Sequence, residues 1–347
     1  MTHASRRPMI WTLLGAAPLL LGASQPPVAP PVVTVSPAAS AAPVAEPGVS
    51  SEITPFIQPF DLDATQRMAV NVRIGDQGPF SFLVDTGAER TVIARELADR
   101  LGLTEGAQLK MATIGGSATV PSFRVAALQM TDLSMRGFDA PSFFGRHIGA
   151  AGLIGVDMLE DRRILIDFRR ESMQILETRK RARTLIRDDD AIVVSARNSA
   201  GRLILSDARL DGKRIDVIVD TGAQTSVGNL ALQRLVAARR ANRLPFFATT
   251  LGAVSGEAVP ATRTAIKRIV INGLDVNDLP VSFADSQAFR ALGLDDRPAL
   301  LLGMDSLALF DQVEIDFPNK RVVFDLPDGA ARATPTRFAA NFAKPPR

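Results

Sequence analysis

Leu83-Val84-Asp85-Thr86-Gly87-Ala88 and Ile218-Val219-Asp220-Thr221-Gly222-Ala223 are one six-position pattern written twice in a single chain. In each copy an apolar run of the kind that fills a buried strand delivers an aspartate into a tight glycine turn; alanine and a helix-compatible segment follow. One Asp-Thr-Gly triplet carries little information, but two in matched surroundings imply a duplication. A pseudo-twofold axis between the copies would bring the two carboxylates face to face. Like charges that close cannot both ionise, so the pair would share one proton and could activate a water.

The surroundings repeat in order. Ahead of the first copy, Met68–Ile74 alternates apolar and polar residues and turns at Gly75-Asp76-Gln77-Gly78 into 79–84, which predicts a hairpin ending in Asp85. Behind it, Val92, Ile93, Leu97 and Leu101 fall at helical spacing and predict a short helix over 91–101, stopped by Gly102. Two extended runs around Gly115-Gly116 read as a hairpin tip over 111–121. Residues 123–130 read as a strand and 142–151 as loose chain. Gly152-Leu153-Ile154-Gly155-Val156-Asp157-Met158-Leu159 closes this half, and 164–168 with 172–176 form a final strand pair.

The second half offers 203–210, an Asp211-Gly212 turn, 214–219 and its own Asp-Thr-Gly-Ala, offset by 220 − 85 = 135. A helix is predicted within 229–240. Residues 251–260 take the place of the first glycine hairpin, and Asn272-Gly273 marks another turn. Leu301-Leu302-Gly303-Met304-Asp305-Ser306-Leu307 matches the first closing motif at an offset of 303 − 155 = 148. The additional residues, 148 − 135 = 13, are assigned to a longer helix region and an insert at 286–297. A repeat this long is a tandem of two lobes and not a solenoid.

Composition narrows the chemistry. Cysteine is absent, which removes thiol nucleophiles, disulfides, cysteinyl zinc sites and iron–sulfur ligation. Only His3 and His147 carry imidazoles; His147, in a Gly/Phe stretch, is read as structural. No histidine accompanies the motif aspartates, so no metal site and no cofactor are expected. The formal charge of +3, with basic residues scattered, no tyrosine and a single tryptophan, argues against a nucleic-acid partner.

Arg6-Arg7, the apolar run 9–22 and the small residues that follow form the three parts of an export signal, too short to span a membrane comfortably. An exported, periplasmic or secreted protein is expected, with an uncleaved N-terminal anchor as the alternative. The expected organisation is an export signal over 1–24, a Pro/Ala-rich tether over 25–55, a first lobe over 56–178, a charged connector over 179–190, a second lobe over 191–327 and a loose tail over 328–347.

With three motifs placed in order in both halves, the chain resembles the retropepsin-like aspartic proteases across about residues 65–326, as a two-lobe, single-chain form. That resemblance implies a mostly β fold of two closed-barrel lobes related by pseudo-twofold symmetry, acting as a monomer on a peptide or protein substrate under two flaps. It implies Asp85 and Asp220 as catalytic carboxylates, Thr86 and Thr221 hydrogen-bonding across the interface, and Gly87, Ala88, Gly222 and Ala223 as loop support. Ile154-Gly155 and Leu302-Gly303 would pack behind the loops. Ile114, Gly115, Gly116 and Ser117 would form one flap, and Val254, Ser255 and Gly256 the other. The matched pairs Asp157/Asp305 and Asp167/Asp316 are expected to cap or to join the lobes. The chain departs from pepsin-like relatives in having no flap tyrosine and only one glycine in the second tip. Two other readings remain open: a two-lobe peptide-binding protein without useful turnover, and a protease active only as an oligomer.

Overall fold

Met68, Val70, Val72 and Ile74 alternate into the interior of the first lobe, as their period of two requires. In the computed structural model that strand is one stave of a closed ring. The structure describes residues 67–327 apart from 131–132, 187–190 and 240–243, together with short strands at 11–12, 16–17, 32–35, 58–59 and 61–62. Apart from those strands, the expected signal, tether and tail lie outside the described residues, as does the acidic run at 188–190.

The first ring runs through Met68–Ile74, Gln77–Val84, Gly152–Ile154, Val92–Ala94, Leu133–Phe143 and Gly116–Met130, and closes where Leu128 meets Ile74. The second runs through Arg202–Leu210, Lys213–Val219, Ala299–Leu302, Val227–Gly228, Leu274–Phe283 and Ala258–Ile271, and closes where Ala208 meets Ile271. The protein is mostly β, with two barrels of matching topology. In each, one parallel pair lies beneath the motif: Leu153 and Ile154 beside Leu83 and Val84, Leu301 and Leu302 beside Ile218 and Val219. The doubly apolar closing motifs thus fill the floor under each Asp-Thr-Gly turn.

Three local expectations need correction. Val92–Ala94 is a strand and the helix is only Arg95–Arg100. Val92 and Ile93 are β-branched and buried on both faces of the ring, so barrel closure outweighs the helical spacing. Residues 142–151 are not loose, because Leu133–Phe143 is a full strand and Gly145–Ile148 a helical turn. The arms of the first hairpin are also longer than expected, Glu105–Thr113 and Gly116–Met130. In the second half, Leu230–Ala237 is the predicted helix, capped by Asn229, whose side chain accepts from the Leu232 N–H.

A third, antiparallel sheet joins the lobes. Its order is Ser172–Glu177, Arg162–Asp167, Gln312–Asp316, Arg321–Asp325 and Ile192–Ser199. The hairpin that follows the first closing motif therefore pairs directly with strands of the second half. Ile164, Ile166, Val313 and Ile315 face the main core. The opposite face holds Arg163, Glu314 and Asp316, all buried: Arg163 lies 3.0 Å from Asp316 and 3.4 Å from Glu314, and Arg321 lies 2.8 Å from Asp316. The connector lies over this face. Arg179, Lys180, Arg181 and Arg183 are exposed, while Ile186 is buried and the Leu185 N–H donates to Glu314 at 2.6 Å.

Burial pushes the Glu314 carboxyl up even though backbone N–H groups and two arginines oppose the shift. Removing one cation from such a cluster leaves an uncompensated buried acid, so Arg163→Ala is expected to lower stability by about 3–5 kcal/mol. The urea midpoint measures it; a loss below ~1 kcal/mol would mean that Arg321 alone neutralises both acids.

Candidate active site

Each motif aspartate leaves the end of a barrel strand and is fixed by its own turn. The Asp85 N–H donates to Ile154 O at 2.9 Å and the Asp220 N–H to Leu302 O at 3.0 Å. Asp85 Oδ1 accepts from the N–H groups of Gly87 and Ala88, both at 2.8 Å; Asp220 Oδ1 accepts from those of Gly222 and Ala223 at 3.0 and 3.1 Å. Both aspartates are fully buried. No described donor outside the pair reaches either Oδ2.

The loops interlock by a reciprocal exchange. The Thr86 N–H donates to Thr221 Oγ1 and the Thr221 N–H to Thr86 Oγ1, each at 3.1 Å. Thr86 Oγ1 donates to Val219 O at 2.9 Å, and Thr221 Oγ1 to Val84 O at 2.7 Å. Thr86 and Thr221 are the same position of the two copies, so these bonds define the pseudo-twofold axis.

Glycine is obligatory beside them. A methyl built on Gly87 would lie 2.5 Å from Asp220 Cγ, and one on Gly222 would overlap the Asp85 carboxyl. Each carboxylate thus packs over the other loop's glycine, and the two lie within hydrogen-bonding reach of one another.

The electrostatics are not symmetric. Burial raises the Asp85 carboxyl above the ordinary aspartate value, while N–H donation from Gly87 and Ala88 and the charge of Arg67 hold it back. Burial raises Asp220 further, and the negative charge of Asp85 adds to the shift. Two buried carboxyls this close, both raised above the ordinary aspartate value, share a single proton between them.

Behind the loops the closing motifs supply braces. Asp157 accepts from the Thr91 N–H at 2.9 Å and hydroxyl at 2.7 Å, and Asp305 accepts from the Ser226 N–H at 3.0 Å and hydroxyl at 2.9 Å. These hydroxyls in turn accept from the Gly155 and Gly303 N–H groups at 3.1 and 3.0 Å. Asp157 and Asp305 hold the chain six residues past each motif aspartate. Asp167 and Asp316 lie in the third sheet, where Asp167 accepts from Gln312 and Asp316 from Arg321.

The two hairpin tips meet one another. Ile114 and Val254 are buried under them, Thr113 Oγ1 lies 3.1 Å from Ser255 Oγ, and a methyl on Gly115 would lie 2.7 Å from Glu257 Oε2. Gly116 and Gly256 take the left-handed conformations, at φ +144° and +98°. One such glycine per tip suffices, and the other glycine of the first tip, Gly115, instead gives room to Glu257 and Ala253. Ser117 is exposed. His147 packs its ring against Gly256, so its position is at the second tip's underside.

Two buried arginines escaped the sequence reading. Arg202 Nε donates to Gly87 O at 2.8 Å and its guanidinium lies 3.5 Å from Glu89, so it reaches from the second half into the first loop. Arg67 donates to Ile148 O at 2.8 Å. An arginine at a strand start resembles a surface residue; the one signal was that each precedes its aspartate by the same distance, 85 − 67 = 18 and 220 − 202 = 18.

A sequence model of the aspartyl protease family matches residues 70–158 and again 206–306. The chain therefore belongs to the aspartyl protease family, and carries two such domains in tandem. Comparison with curated proteins gave no match.

Proposed function

We propose that this chain is an exported aspartic endopeptidase that hydrolyses peptide bonds with a water activated between Asp85 and Asp220. The observation that carries the reading is the buried, facing pair itself: two carboxylates whose Oδ1 atoms are fixed by their own loops and whose Oδ2 atoms receive no donor from outside the pair. A module that only binds peptides has no use for two facing acids and their electrostatic cost.

The ionised member of the pair would take a proton from the water as its oxygen attacks the scissile carbonyl, while the protonated member donates to the carbonyl oxygen. The tetrahedral diol that results would collapse as a proton passes to the leaving amine, returning the pair to one proton. The reciprocal threonine bonds would keep the carboxylates within the narrow tolerance such transfer needs. Export is supported by the charged, apolar and small-residue order of the N-terminus.

The test is digestion of casein or a peptide library by the wild-type chain beside Asp85→Asn. Cleavage by the first and none by the second is expected; a cleft that binds peptides while neither chain cuts them would leave a binding protein. Alanines at 88 and 223 withhold a hydroxyl that could stabilise the charged carboxylates. Ala88→Ser is expected to give Asp85 a further donor, lower its pKa and move the acid limb of kcat/KM to lower pH. An unmoved acid limb would show that the introduced hydroxyl does not reach Asp85.

A further inference from the structure

Part of the second half's excess length falls where that half meets the hairpin of the other. Between Leu133–Phe143 and Gly152–Ile154 the first lobe has 8 linking residues, 144–151; between Leu274–Phe283 and Ala299–Leu302 the second has 15, 284–298. The short link is little more than the turn Gly145–Ile148. The long one holds a helix, Gln287–Ala291, capped by Ser286, whose side chain accepts from the Ala288 N–H. Each link touches the hairpin of the opposite lobe. His147 lies beneath Gly256 at the second tip, and Gln287–Ala291 lies against both arms of the first hairpin.

The two seats are unequal. Among the described residues, Ile114 is the one member from the first lobe in a buried cluster otherwise built by the second, to which the long link gives Ala288, Phe289, Leu292 and Leu294. That link is itself fastened: Asn229 Nδ2 donates to Leu294 O at 2.6 Å and to Arg297 O at 2.7 Å. The second tip has a smaller anchor, Val254, while Gly256 and Glu257 are exposed. The imidazole beneath it is poorly satisfied. His147 Nε2 accepts from Arg146 Nε at 3.2 Å, but its buried Nδ1 has no partner among the described residues. An unmatched buried polar atom favours any movement that brings it water. The tips are also stacked in order: a methyl on the half-buried Gly115 would come within 2.7 Å of Glu257 Oε2 and 2.9 Å of Ala253 Cβ. The second tip is therefore the outer one, and the first is held beneath it.

We infer that the long link, 284–298, is a clamp that pins the first hairpin to the second lobe, so that the second hairpin alone lifts and the two-lobe chain has one gate in place of two. The 13 additional residues of the second half thus acquire a purpose, which is to break the symmetry that the duplication would otherwise impose on the hairpins. The effect on hydrolysis rests on the endopeptidase reading; the unequal hold on the hairpins does not.

Hydrogen exchange read by mass spectrometry on the full-length chain follows both hairpins at once. Amides of 251–259 are expected to exchange about tenfold faster than those of 111–120. Phe289→Ala hollows the socket and is expected to raise exchange in 111–120 several-fold, towards that of 251–259. Circular dichroism checks that its barrels stay folded, and the milder Leu292→Ala takes its place if they do not. Equal exchange in the unaltered chain, faster exchange in 111–120, or a socket variant that leaves 111–120 fully protected overturns the inference. The gate is tested separately. The chain has no cysteine, so Thr113→Cys with Ser255→Cys places a single disulfide between tips whose hydroxyls stand 3.1 Å apart, and ties the second tip to the pinned one. Oxidised, that chain is expected to digest casein about tenfold more slowly than after reduction. Equal and measurable rates would overturn the gate. Unequal exchange with no digestion by any chain would leave the clamp standing and sink the endopeptidase reading. Digestion with equal exchange in the two hairpins would do the reverse.

Discussion

Under the endopeptidase reading Asp220→Asn is expected to abolish peptide hydrolysis, a loss of about 10³-fold or more, and yet to make the protein more stable at neutral pH. The first half follows from its place in the pair, since an amide can neither take nor give up the shared proton. The second follows from linkage. The folded carboxyl titrates well above the ordinary aspartate value because it is buried and faces Asp85. A group raised in this way contributes its full stability below the unfolded pKa, and loses it as pH rises through the folded pKa. Asparagine keeps the shape and never ionises. The melting temperatures of the two proteins should therefore nearly coincide in acid and separate as pH rises, each recovered kcal/mol appearing as about 2–4 °C. Thermal melts across a pH series read the gap. A variant that is less stable than wild type at every pH would mean that the amide cannot be seated over Gly87, and that burial of the facing acids is not what limits stability at neutral pH.

The sequence made the two lobes legible because the features that define them are local. An apolar strand, an aspartate and a glycine turn are contiguous residues, and their recurrence at 135 and 148 positions carries the symmetry. What stayed hidden depends on closure. Val92 and Ile93 keep helical spacing with Leu97 and Leu101, and only the ring, which buries both faces of Val92–Ala94, makes them a strand. Leu133–Phe143 was missed because Arg136, Gly137 and Asp139 break its apolar pattern on the exposed half of the strand. The third sheet pairs residues 315 − 164 = 151 positions apart, Ile164 with Ile315, and no local pattern announces a partner at that distance. Arg202 was invisible for the same reason: its partners, Gly87 O and Glu89, belong to the other half of the chain.

The exchange between Thr86 and Thr221 is where that long-range order is most exposed to test. Valine matches threonine in shape, so Thr86→Val removes a hydroxyl with little change in packing. It leaves Val219 O without its donor and the Thr221 N–H without its acceptor, both in the dry interior between the lobes. Stranding two buried backbone groups is expected to cost about 2–4 kcal/mol. Thr221→Val strands the mirror pair, Val84 O and the Thr86 N–H, and is expected to cost about the same. The double variant should cost less than the sum, because both hydroxyls belong to one network and the first loss already loosens the second. Urea midpoints for the three variants give these values. Under the endopeptidase reading, kcat on a peptide substrate should fall more steeply than stability. The threonines sit one residue from the acids, and a displacement of about 1 Å is enough to cost on the order of 10²-fold in rate. If the single variants melt with wild type, the threonine exchange does not hold the loops together, and the facing of Asp85 and Asp220 has to be credited to the third sheet and Arg202 instead.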